Sequence, residues 1–428
     1  MPIGRPKISS RGPRQRAWAL VFLCGLGVGL CVAQIPFANA TDIGLTYQKL
    51  RVFSQVLAYV QDSYVDELEE DELVYGAIRG MLRDLDPHTA FMRPAEYQKL
   101  KEDTAGEFGG LGIELRQLPE EIRITRVHAG GPAANAGLES ADRILAVDGE
   151  DTTAMELPEL IKLLRGVPGT TVTLRIARRS WQRSRDIPLV RQQVRIPSVH
   201  AKALSEDIQY IQITSFQERT DLELGQALQA LHQQHDAKRG EPWRGLILDL
   251  RDNPGGLFEE GVKVADRFLR DGLIVRTEGR DPRNVERDDA HLAGTEPEYP
   301  LVVLINGGSA SASEIVAGAL QDQRRAVVVG TRSYGKGSVQ TLYGLEDGAG
   351  LKLTIARYYT PSGRSIQDTG IEPDVFQAPG TETQVTAPAG KMDGTGPAAA
   401  RDRDPQLKSA IDVVSRWPAD LPTRNARK

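Results

Sequence analysis

Two residues in the second half of the chain, Ser311 and Lys336, have the types and surroundings that acyl transfer without histidine requires. Ser311 lies in residues 308–314 (GSASASE), and Lys336 follows twenty-five residues later in residues 335–340 (GKGSVQ). Each segment is rich in glycine and follows an apolar, strand-like run. A serine hydroxyl becomes a good nucleophile when a base takes its proton, and a neutral lysine is such a base. The pair therefore favours serine–lysine chemistry.

Ser311 also has a purely structural interpretation. With Glu314 it forms S-x-x-E, a capping box in which a serine begins a helix and needs no catalytic role. Taken alone, this segment favours the cap over the nucleophile. Ser309 and Ser313 compete with Ser311 for the nucleophilic role.

Lys336 can act as a base only where its surroundings lower its pKa, because a free lysine titrates near about 10.4. Gly335 and Gly337 allow another part of the chain to approach closely, and Gln340 is placed to orient the lysine nitrogen. Residues 330–336 (GTRSYGK) also nearly match a phosphate-binding Walker A loop. Gly337 stands where that loop needs Ser or Thr, so phosphate binding is disfavoured.

The six histidines form no recognisable catalytic or metal-binding pattern. His232 and His235 lie three residues apart on a polar helical stretch and are interpreted as a solvated face. His88 follows a proline in a turn and is interpreted as structural. A Ser-His-Asp triad assembled from distant residues stays open, because such triads are recognised by geometry and not by sequence. No metal or cofactor is predicted.

Residues 192–378 alternate between apolar strand-like runs and helical patterns. This alternation predicts an α/β domain with a largely parallel, buried sheet, in which chemistry gathers at the carboxyl ends of the strands. The runs are 208–213, 245–250, 301–305, 326–329 and 351–355, and the helical patterns are 221–235, 258–269 and 313–322. Ser311 and the pair Gly255-Gly256 each follow one of these strands, where free backbone amides can stabilise an oxyanion.

Residues 106–191 change to short strands with one or two small helices, which predicts a β-rich module. The module resembles a PDZ domain in its glycine-rich loop, in residues 132–138 (PAANAGL) and in residues 142–149 (DRILAVDG), although Ala141 stands where glycine is usual. Such a loop can turn N–H groups toward a peptide's terminal carboxylate, and the next strand offers an edge for peptide addition. A small β-barrel without a ligand is the alternative. The candidate peptide-binding residues are Gly110, Leu111, Gly112 and Ile113.

The remaining segments frame these two domains. Residues 1–40 combine five basic residues, an apolar run and an A-x-A site at Ala38–Ala40, which predicts a secretory signal, with an uncleaved membrane anchor as the alternative. Both cysteines lie in this segment, so the exported chain is expected to form no disulfide. Residues 43–105 are predicted to be helical and to break at Asp86-Pro87. Residues 379–428 are interpreted as a linker and tail with a short helix at 407–414.

Taken together, the motifs resemble the carboxyl-terminal processing peptidases, also called tail-specific proteases. The resemblance covers about residues 43–376 and rests on residues 248–256, 309–314, 319–322, 335–340 and 359–364. It implies an α/β protease core with a crotonase-like sheet and helices, an inserted PDZ domain and an amino-terminal helical segment.

The same resemblance implies roles for single residues. Ser311 would be the nucleophile, Lys336 the general base and Gln340 the residue that orients the lysine. Arg165 is a candidate contact between the PDZ domain and the protease, with an exposed surface arginine as the alternative. Arg251 is interpreted as a structural turn anchor, with a site residue as the alternative, and Asp322 is interpreted as structural. The implied oxyanion-hole amides are those of Ala312 and of Gly255 or Gly256.

The predicted function is that of an exported serine endopeptidase, periplasmic or anchored to the inner membrane, that recognises tails of unfolded or tail-exposed proteins. Expected partners are an adaptor or activator lipoprotein and a second copy, which dimerises through the amino-terminal helices. The net charge of -5 does not suggest binding to nucleic acid. The alternatives are a catalytically silent PDZ scaffold and a nucleotide-binding α/β protein.

Overall fold

The computed structural model describes residues 40–119, 121–236, 243–281, 283, 285–380 and 404–417. All but the last residue of the predicted export signal lies outside these residues. Contacts divide the chain into two compact units, Met1–Met81 and Leu82–Lys428. Among the described residues, no helix combines the length and the apolar character that a membrane span needs.

The described part of the first unit is helical, as predicted. Helix α1 covers Ala40–Ser63, and helix α2 begins in this unit and covers Glu70–Arg83. Three acidic residues begin α2 and a basic one ends it, which suits the helix dipole. Apolar side chains at helical spacing are exposed along α1: Tyr47, Leu50, Phe53 and Val56.

The second unit is built around a six-stranded sheet, with strands numbered in chain order. Its members, in spatial order, are β10 (Val199–Ala203), β11 (Ile208–Ile213), β12 (Gly245–Asp249), β15 (Leu301–Ile305), β16 (Val327–Gly330) and β19 (Val375–Phe376). Only β10 pairs in the antiparallel direction. Every residue of β12 and of β15 is buried. The predicted parallel, buried sheet is therefore confirmed.

Helices cover both faces of this sheet. On one face, α6 (Thr220–Asp236), α7 (Phe258–Asp266) and α8 (Ala312–Asp322) contribute to the main apolar core. On the other face, α9 (Pro405–Ser415) packs Leu407 and Val414 against the sheet. The short helix that the sequence predicts in the tail is thus part of the folded core.

A second, antiparallel sheet consists of β1 (Ala90–Met92), β13 (Leu273–Gly279), β14 (Val285–Asp289), β17 (Ser338–Gly344) and β18 (Gly350–Tyr359). The prediction that residues 351–355 join the parallel sheet is wrong, because they belong to β18. β17 and β18 form a hairpin closed by the bond from Leu345 N–H to the Ala349 carbonyl, 2.9 Å. A parallel partner would need a long crossover, and five residues are too few.

The inserted β-rich module has its own apolar core. Helix α3 (Pro94–Ala105) leads into β2 (Glu107–Gly110), which pairs with β9 (Gln192–Arg195) where the chain leaves the module. Strand β3 (Ile113–Leu118) lies at the edge of the module's sheet. The other elements are β4 (Glu121–Val127), α4 (Pro132–Asn135), β5 (Arg143–Val147), β6 (Glu150–Asp151), α5 (Leu157–Leu164), β7 (Thr171–Ala177) and β8 (Arg185–Val190).

Candidate active site

Ser311 occupies the sharp turn between β15 and α8. Its backbone has positive φ (φ 55°, ψ −115°), which is costly for a residue with a side chain and persists only where surrounding contacts enforce it. The Ser311 N–H donates to the Glu314 carboxylate over 2.8 Å, which is one half of the predicted capping box. The Ser311 side chain nevertheless stays partly exposed. The segment therefore begins a helix and presents a hydroxyl at the same time, so the two interpretations are compatible.

The competing serines are fully buried and have structural hydrogen bonds. The Ser309 hydroxyl donates to the Leu250 carbonyl over 2.7 Å, and the Ser313 hydroxyl donates to the Asn253 carbonyl over 2.9 Å. Both bonds join the turn after β15 to the turn after β12. Of the three serines, Ser311 alone has a side chain that a substrate can reach.

Lys336 is half-buried in the loop that connects β16 to β17. Burial lowers the pKa of its ammonium group, and the positive charge of Lys352 on β18 lowers it further. The carboxylates of Glu314 and Asp86 oppose this, but the net shift of the Lys336 pKa is downward. The shift increases the neutral fraction of the lysine, which is the form that acts as a base.

Gly335 and Gly337, which flank Lys336, are required because another segment of the same protein packs closely against them. A Cβ on Gly335, whose φ is 95°, would lie 3.1 Å from the Gly370 nitrogen, and one on Gly337 would lie 2.6 Å from the Gln367 nitrogen. A strand, β17, follows this loop, whereas a Walker A loop leads into a helix. The Lys336 loop thus lacks the geometry of a phosphate-binding loop.

Glu314 joins the serine turn to the lysine loop. One oxygen of its carboxylate accepts the N–H groups of Ser311 (2.8 Å) and Lys336 (2.9 Å). The other accepts the Ser333 hydroxyl and the Gly335 N–H, both at 2.6 Å. Burial raises the pKa of this fully buried carboxyl group, although the four hydrogen bonds work in the opposite direction. From its S-x-x-E spacing with Ser311, the sequence predicts only a capping role for Glu314.

Tyr358, which sequence reasoning missed, also links the two sides. Its buried hydroxyl donates to the Lys336 carbonyl and is within hydrogen-bonding distance of the Ser311 side chain. Burial raises the Tyr358 pKa well above its ordinary value, so the phenol stays protonated. The Tyr358 N–H also donates to the Gly337 carbonyl over 2.9 Å. Ser311 and the Lys336 backbone therefore share a carboxylate and a phenol as neighbours.

The Gly255-Gly256 turn lies directly against Ser311. A Cβ on Gly255 (φ 97°) would be 2.7 Å from the Ser311 Cβ, and one on Gly256 (φ 144°) would be 2.1 Å from the Phe216 carbonyl oxygen. The Gly255 N–H already donates to the Asn253 side chain over 2.9 Å. Among the described residues, the N–H groups of Gly256 and Ala312 have no acceptor. Of the two glycines, Gly256 is thus the one with an available amide.

Gln340 lies on β17, four residues beyond Lys336. Within the described chain its carboxamide makes one hydrogen bond, a long one of 3.4 Å to the Ser338 hydroxyl. Among the described residues, Gln340 therefore makes no hydrogen bond to the lysine nitrogen.

The described histidines are not placed as the base of a serine triad. In the part of the chain that the structure describes, no histidine ring is hydrogen-bonded to a serine hydroxyl. The interpretation of His232 and His235 as a solvated face is wrong. His235 is only 5% exposed, and His232 stacks on Trp243 with ring centroids 3.8 Å apart.

The glycine-rich loop of the module is held in place by backbone hydrogen bonds. Gly112 has a φ of 72°, and the loop is held by bonds from Ala133 N–H to the Leu111 carbonyl and from His128 N–H to the Gly112 carbonyl. The next strand, β3, begins at Ile113 and has one free edge. Gly110, the first of the four candidate peptide-binding residues, is the last residue of β2.

Arg165 ends helix α5 and is partly buried. Its guanidinium lies 4.3 Å from the Phe108 ring centroid, and its Nε is buried without a hydrogen-bond partner. It lines a cavity of about 230 Å³ together with Ser215 and Gln217 of the core. The side chain thus stands between the inserted module and the core, and the alternative of an exposed surface arginine is wrong.

Arg251 and Asp322, both interpreted from the sequence as structural, make structural contacts. Arg251 forms ion pairs with Asp249 and with Asp404 at the start of α9, at 2.6 and 2.9 Å. Asp322 accepts the Ser362 N–H over 2.9 Å at the end of α8. Both interactions join separate segments of the core.

Three parts of the chain match known families. Residues 207–376 match peptidase family S41, residues 123–178 match the PDZ domain, and residues 34–95 match the N-terminal domain of the activating protease CtpB. Fold and site together therefore define a peptidase with an α/β core, an inserted PDZ domain and amino-terminal helices.

Several relatives are similar over most of the chain. A carboxy-terminal-processing protease of Bartonella bacilliformis is 42% identical over 330 residues, which are 77% of this chain and 75% of that protein. A carboxyl-terminal-processing protease of Synechocystis sp. is 35% identical over 94% of both chains. A solved photosystem II D1 C-terminal processing protease is 32% identical, with 77% of this chain and 92% of that chain covered and a TM-score of 0.45. The protein belongs to peptidase family S41, the family of the carboxyl-terminal processing proteases, and is a serine protease.

Proposed function

We propose that the protein is an exported endopeptidase that recognises carboxyl-terminal tails of protein substrates and cleaves them with a Ser311–Lys336 dyad. The observation that carries this proposal is the single Glu314 oxygen that accepts N–H groups from both residues. This shared acceptor brings the two turns together although twenty-five residues separate them. The partial exposure of Ser311 and the lowered pKa of Lys336 suit a nucleophile and its base.

Acylation begins when the Ser311 Oγ attacks the scissile carbonyl carbon and the neutral Lys336 Nζ takes the hydroxyl proton. The resulting oxyanion accepts the N–H groups of Ala312 and Gly256, which have no other acceptor among the described residues. The Lys336 ammonium then gives its proton to the leaving amine as the C–N bond breaks. The product is an ester between Ser311 and the amino-terminal part of the substrate.

Deacylation repeats these steps with water. Lys336 takes a proton from the water as its oxygen attacks the ester carbonyl, and returns it to the Ser311 Oγ as the ester bond breaks. Gln340 is proposed to turn toward Lys336 when substrate is bound, because its one hydrogen bond is long and easily exchanged.

The PDZ domain is proposed to capture the substrate tail before cleavage. The loop from Gly110 to Ile113 would bind the terminal carboxylate, and the free edge of β3 would pair with the tail as an added strand. Arg165 would then couple tail binding to the active site. Arg165 lines the same cavity as Gln217. The residue before Gln217 is Phe216, and its N–H donates to the Gly255 carbonyl over 2.9 Å.

Export, membrane attachment and partners complete the proposal. The basic and apolar residues 1–40 support export to the periplasm or retention at the inner membrane. The exposed apolar side chains of α1 support dimerisation through the amino-terminal helices, and an activator lipoprotein would act on the PDZ domain. No nucleic acid is expected to bind.

Cleavage of an unfolded polypeptide with a free carboxyl terminus tests the dyad. We expect Ser311→Ala and Lys336→Ala to abolish turnover, while the exposed control variants Ser365→Ala and Lys408→Ala keep it. Wild-type turnover in either dyad variant would refute the assignment. A protein that binds the tail but never cleaves it would instead be a PDZ scaffold.

The same polypeptide with an amidated carboxyl terminus tests tail recognition. We expect amidation to raise KM, because the loop then loses the charge that it is proposed to bind. Equal KM values for the two substrates would remove the role of the PDZ loop and leave the dyad intact.

A further inference from the structure

The turn of residues 86–89 (DPHT) has hydrogen bonds that a simple helix break does not require. The Asp86 Oδ1 accepts the N–H groups of His88 (2.9 Å) and Thr89 (3.0 Å) and the Thr354 hydroxyl (3.1 Å). The Asp86 Oδ2 accepts the Thr89 hydroxyl, which in turn accepts the Thr354 N–H over 3.2 Å. The Asp86 carboxylate is therefore fixed, and it is tied to one residue of β18.

That residue connects the turn to the strand that follows Lys336. Thr354 pairs with Gln340 across β17 and β18, whereas the preceding pair is Val339 with Ala356. Ile355 is thus an extra residue, a bulge of the kind that redirects side chains beside functional sites. The bulge places the Asp86 turn next to Gln340.

The titratable groups that face Lys336 come from three directions. Glu314 belongs to α8, Lys352 to β18, and Asp86 and His88 to the turn. His88 itself also faces Lys352 and Asp368. Within the described residues, no other charged group shifts the pKa of Lys336.

The protonation states of the turn follow from its contacts. Burial would raise the pKa of Asp86, but its hydrogen bonds outweigh burial and hold that pKa below the usual range. Burial lowers the His88 pKa, and the charge of Lys336 lowers it further. At neutral pH the turn therefore presents a carboxylate and an uncharged imidazole to the lysine.

We propose that Asp86 is a positioning residue of the active site, whose fixed carboxylate stabilises the Lys336 ammonium that forms when Ser311 gives up its proton. The inference rests on the proposed dyad. Asp86 does not touch the reacting atoms and acts through Lys336. The same negative charge also makes the resting lysine harder to deprotonate, so the effect of Asp86 on the rate depends on pH.

The pH dependence of kcat/KM tests this inference. In Asp86→Asn we expect the acid limb to move to lower pH by about half to one unit and the high-pH plateau to fall about two- to threefold, because the lysine becomes a weaker base. Asp86→Glu, which keeps the charge, should restore the wild-type acid limb. Asp84→Asn removes the same charge from an exposed neighbouring position and should leave the profile unchanged.

A structural role predicts a different result. Thr354→Val removes one anchor of Asp86 but no charge, so we expect its acid limb to stay in place. An acid limb that moves equally in Thr354→Val and Asp86→Asn, or that moves in neither, overturns the inference. If Asp86→Asn does not fold, Asp86→Ser carries the same prediction, with folding monitored by thermal unfolding.

Failure of this inference is distinguishable from failure of the dyad. Inactive Ser311→Ala and Lys336→Ala variants, together with an unmoved acid limb in Asp86→Asn, reject Asp86 alone. Turnover by Ser311→Ala rejects both.

Discussion

The two sides of the site are built differently. Ser311 follows a strand of the parallel sheet. Its turn is held by hydrogen bonds such as that from the Ser313 hydroxyl to the Asn253 carbonyl, and both of these residues are fully buried. Lys336 precedes the antiparallel hairpin, is half-buried, and has charged neighbours. Packing and hydrogen bonds thus determine the position of Ser311, whereas burial and charge determine the protonation of Lys336.

Glu314 joins these two sides, so its replacement should have the largest effect. Glu314→Gln replaces one carboxylate oxygen by an amide NH₂ group. That group would face the two donors that the oxygen accepts, so these buried donors would lose their acceptor. We expect kcat/KM to fall about 10³-fold and the free energy of unfolding to fall by about 1–3 kcal/mol. Peptide cleavage and denaturant unfolding measure both. The exposed Glu346→Gln is the control, and wild-type activity in Glu314→Gln would show that the sides are positioned independently.

Gly255→Ala tests the packed side. The added methyl group would crowd the Ser311 Cβ at 2.7 Å, and we expect kcat to fall about 10²-fold. Gly363→Ala is a matched control, because its φ of 84° imposes a similar backbone cost with nothing within 4 Å of the new Cβ. Equal losses of activity in the two variants would assign the effect to backbone strain and not to crowding at Ser311.

Lys352→Gln tests the side controlled by charge. The Lys352 charge lowers the Lys336 pKa, so its removal raises that pKa and reduces the neutral fraction of Lys336 at neutral pH. We expect the acid limb of kcat/KM to move to higher pH and activity at pH 7 to fall about three- to tenfold. The shift is opposite in sign to that predicted for Asp86→Asn. A downward shift, or an equal shift in the exposed control Lys408→Gln, would contradict the assignment.

Ala141→Gly lies away from both sides and should have the smallest effect. Ala141 has a φ of 74°, where glycine avoids the steric cost of a Cβ. We expect the free energy of unfolding to rise by about 0.5–1 kcal/mol with no change in kcat/KM, measured by thermal unfolding and peptide cleavage. A change in kcat/KM would mean that this loop of the PDZ domain communicates with the active site.

Much of the fold was predictable because strand and helix periods are local properties. The runs at 208–213 and 301–305 match β11 and β15, and the pattern at 313–322 matches α8 within one residue. The error at residues 351–355 arose because an apolar run does not reveal its pairing direction. The short connection to β17, and not the run itself, makes β18 antiparallel.

The site was predictable to a lesser extent. The sequence singles out Gly255, Ser311 and Lys336 because glycine, serine and lysine after strands carry a chemical meaning of their own. It does not single out Tyr358 or Asp86, because the contacts of each are with residues far away in the chain. Nothing in the spacing of Asp86 and Thr354 indicates that their side chains are 3.1 Å apart.

Local patterns in the sequence are enough to predict the alternation of strands and helices, the glycine-punctuated turns and the residue types able to perform acyl transfer. Only the folded chain shows that Ser311 is the accessible serine of its segment, that Gly256 has the available amide, and that Glu314 holds the serine turn and the lysine loop together. The reason is physical: local propensity depends on neighbouring residues, whereas burial and free hydrogen-bonding groups depend on which strand ends meet.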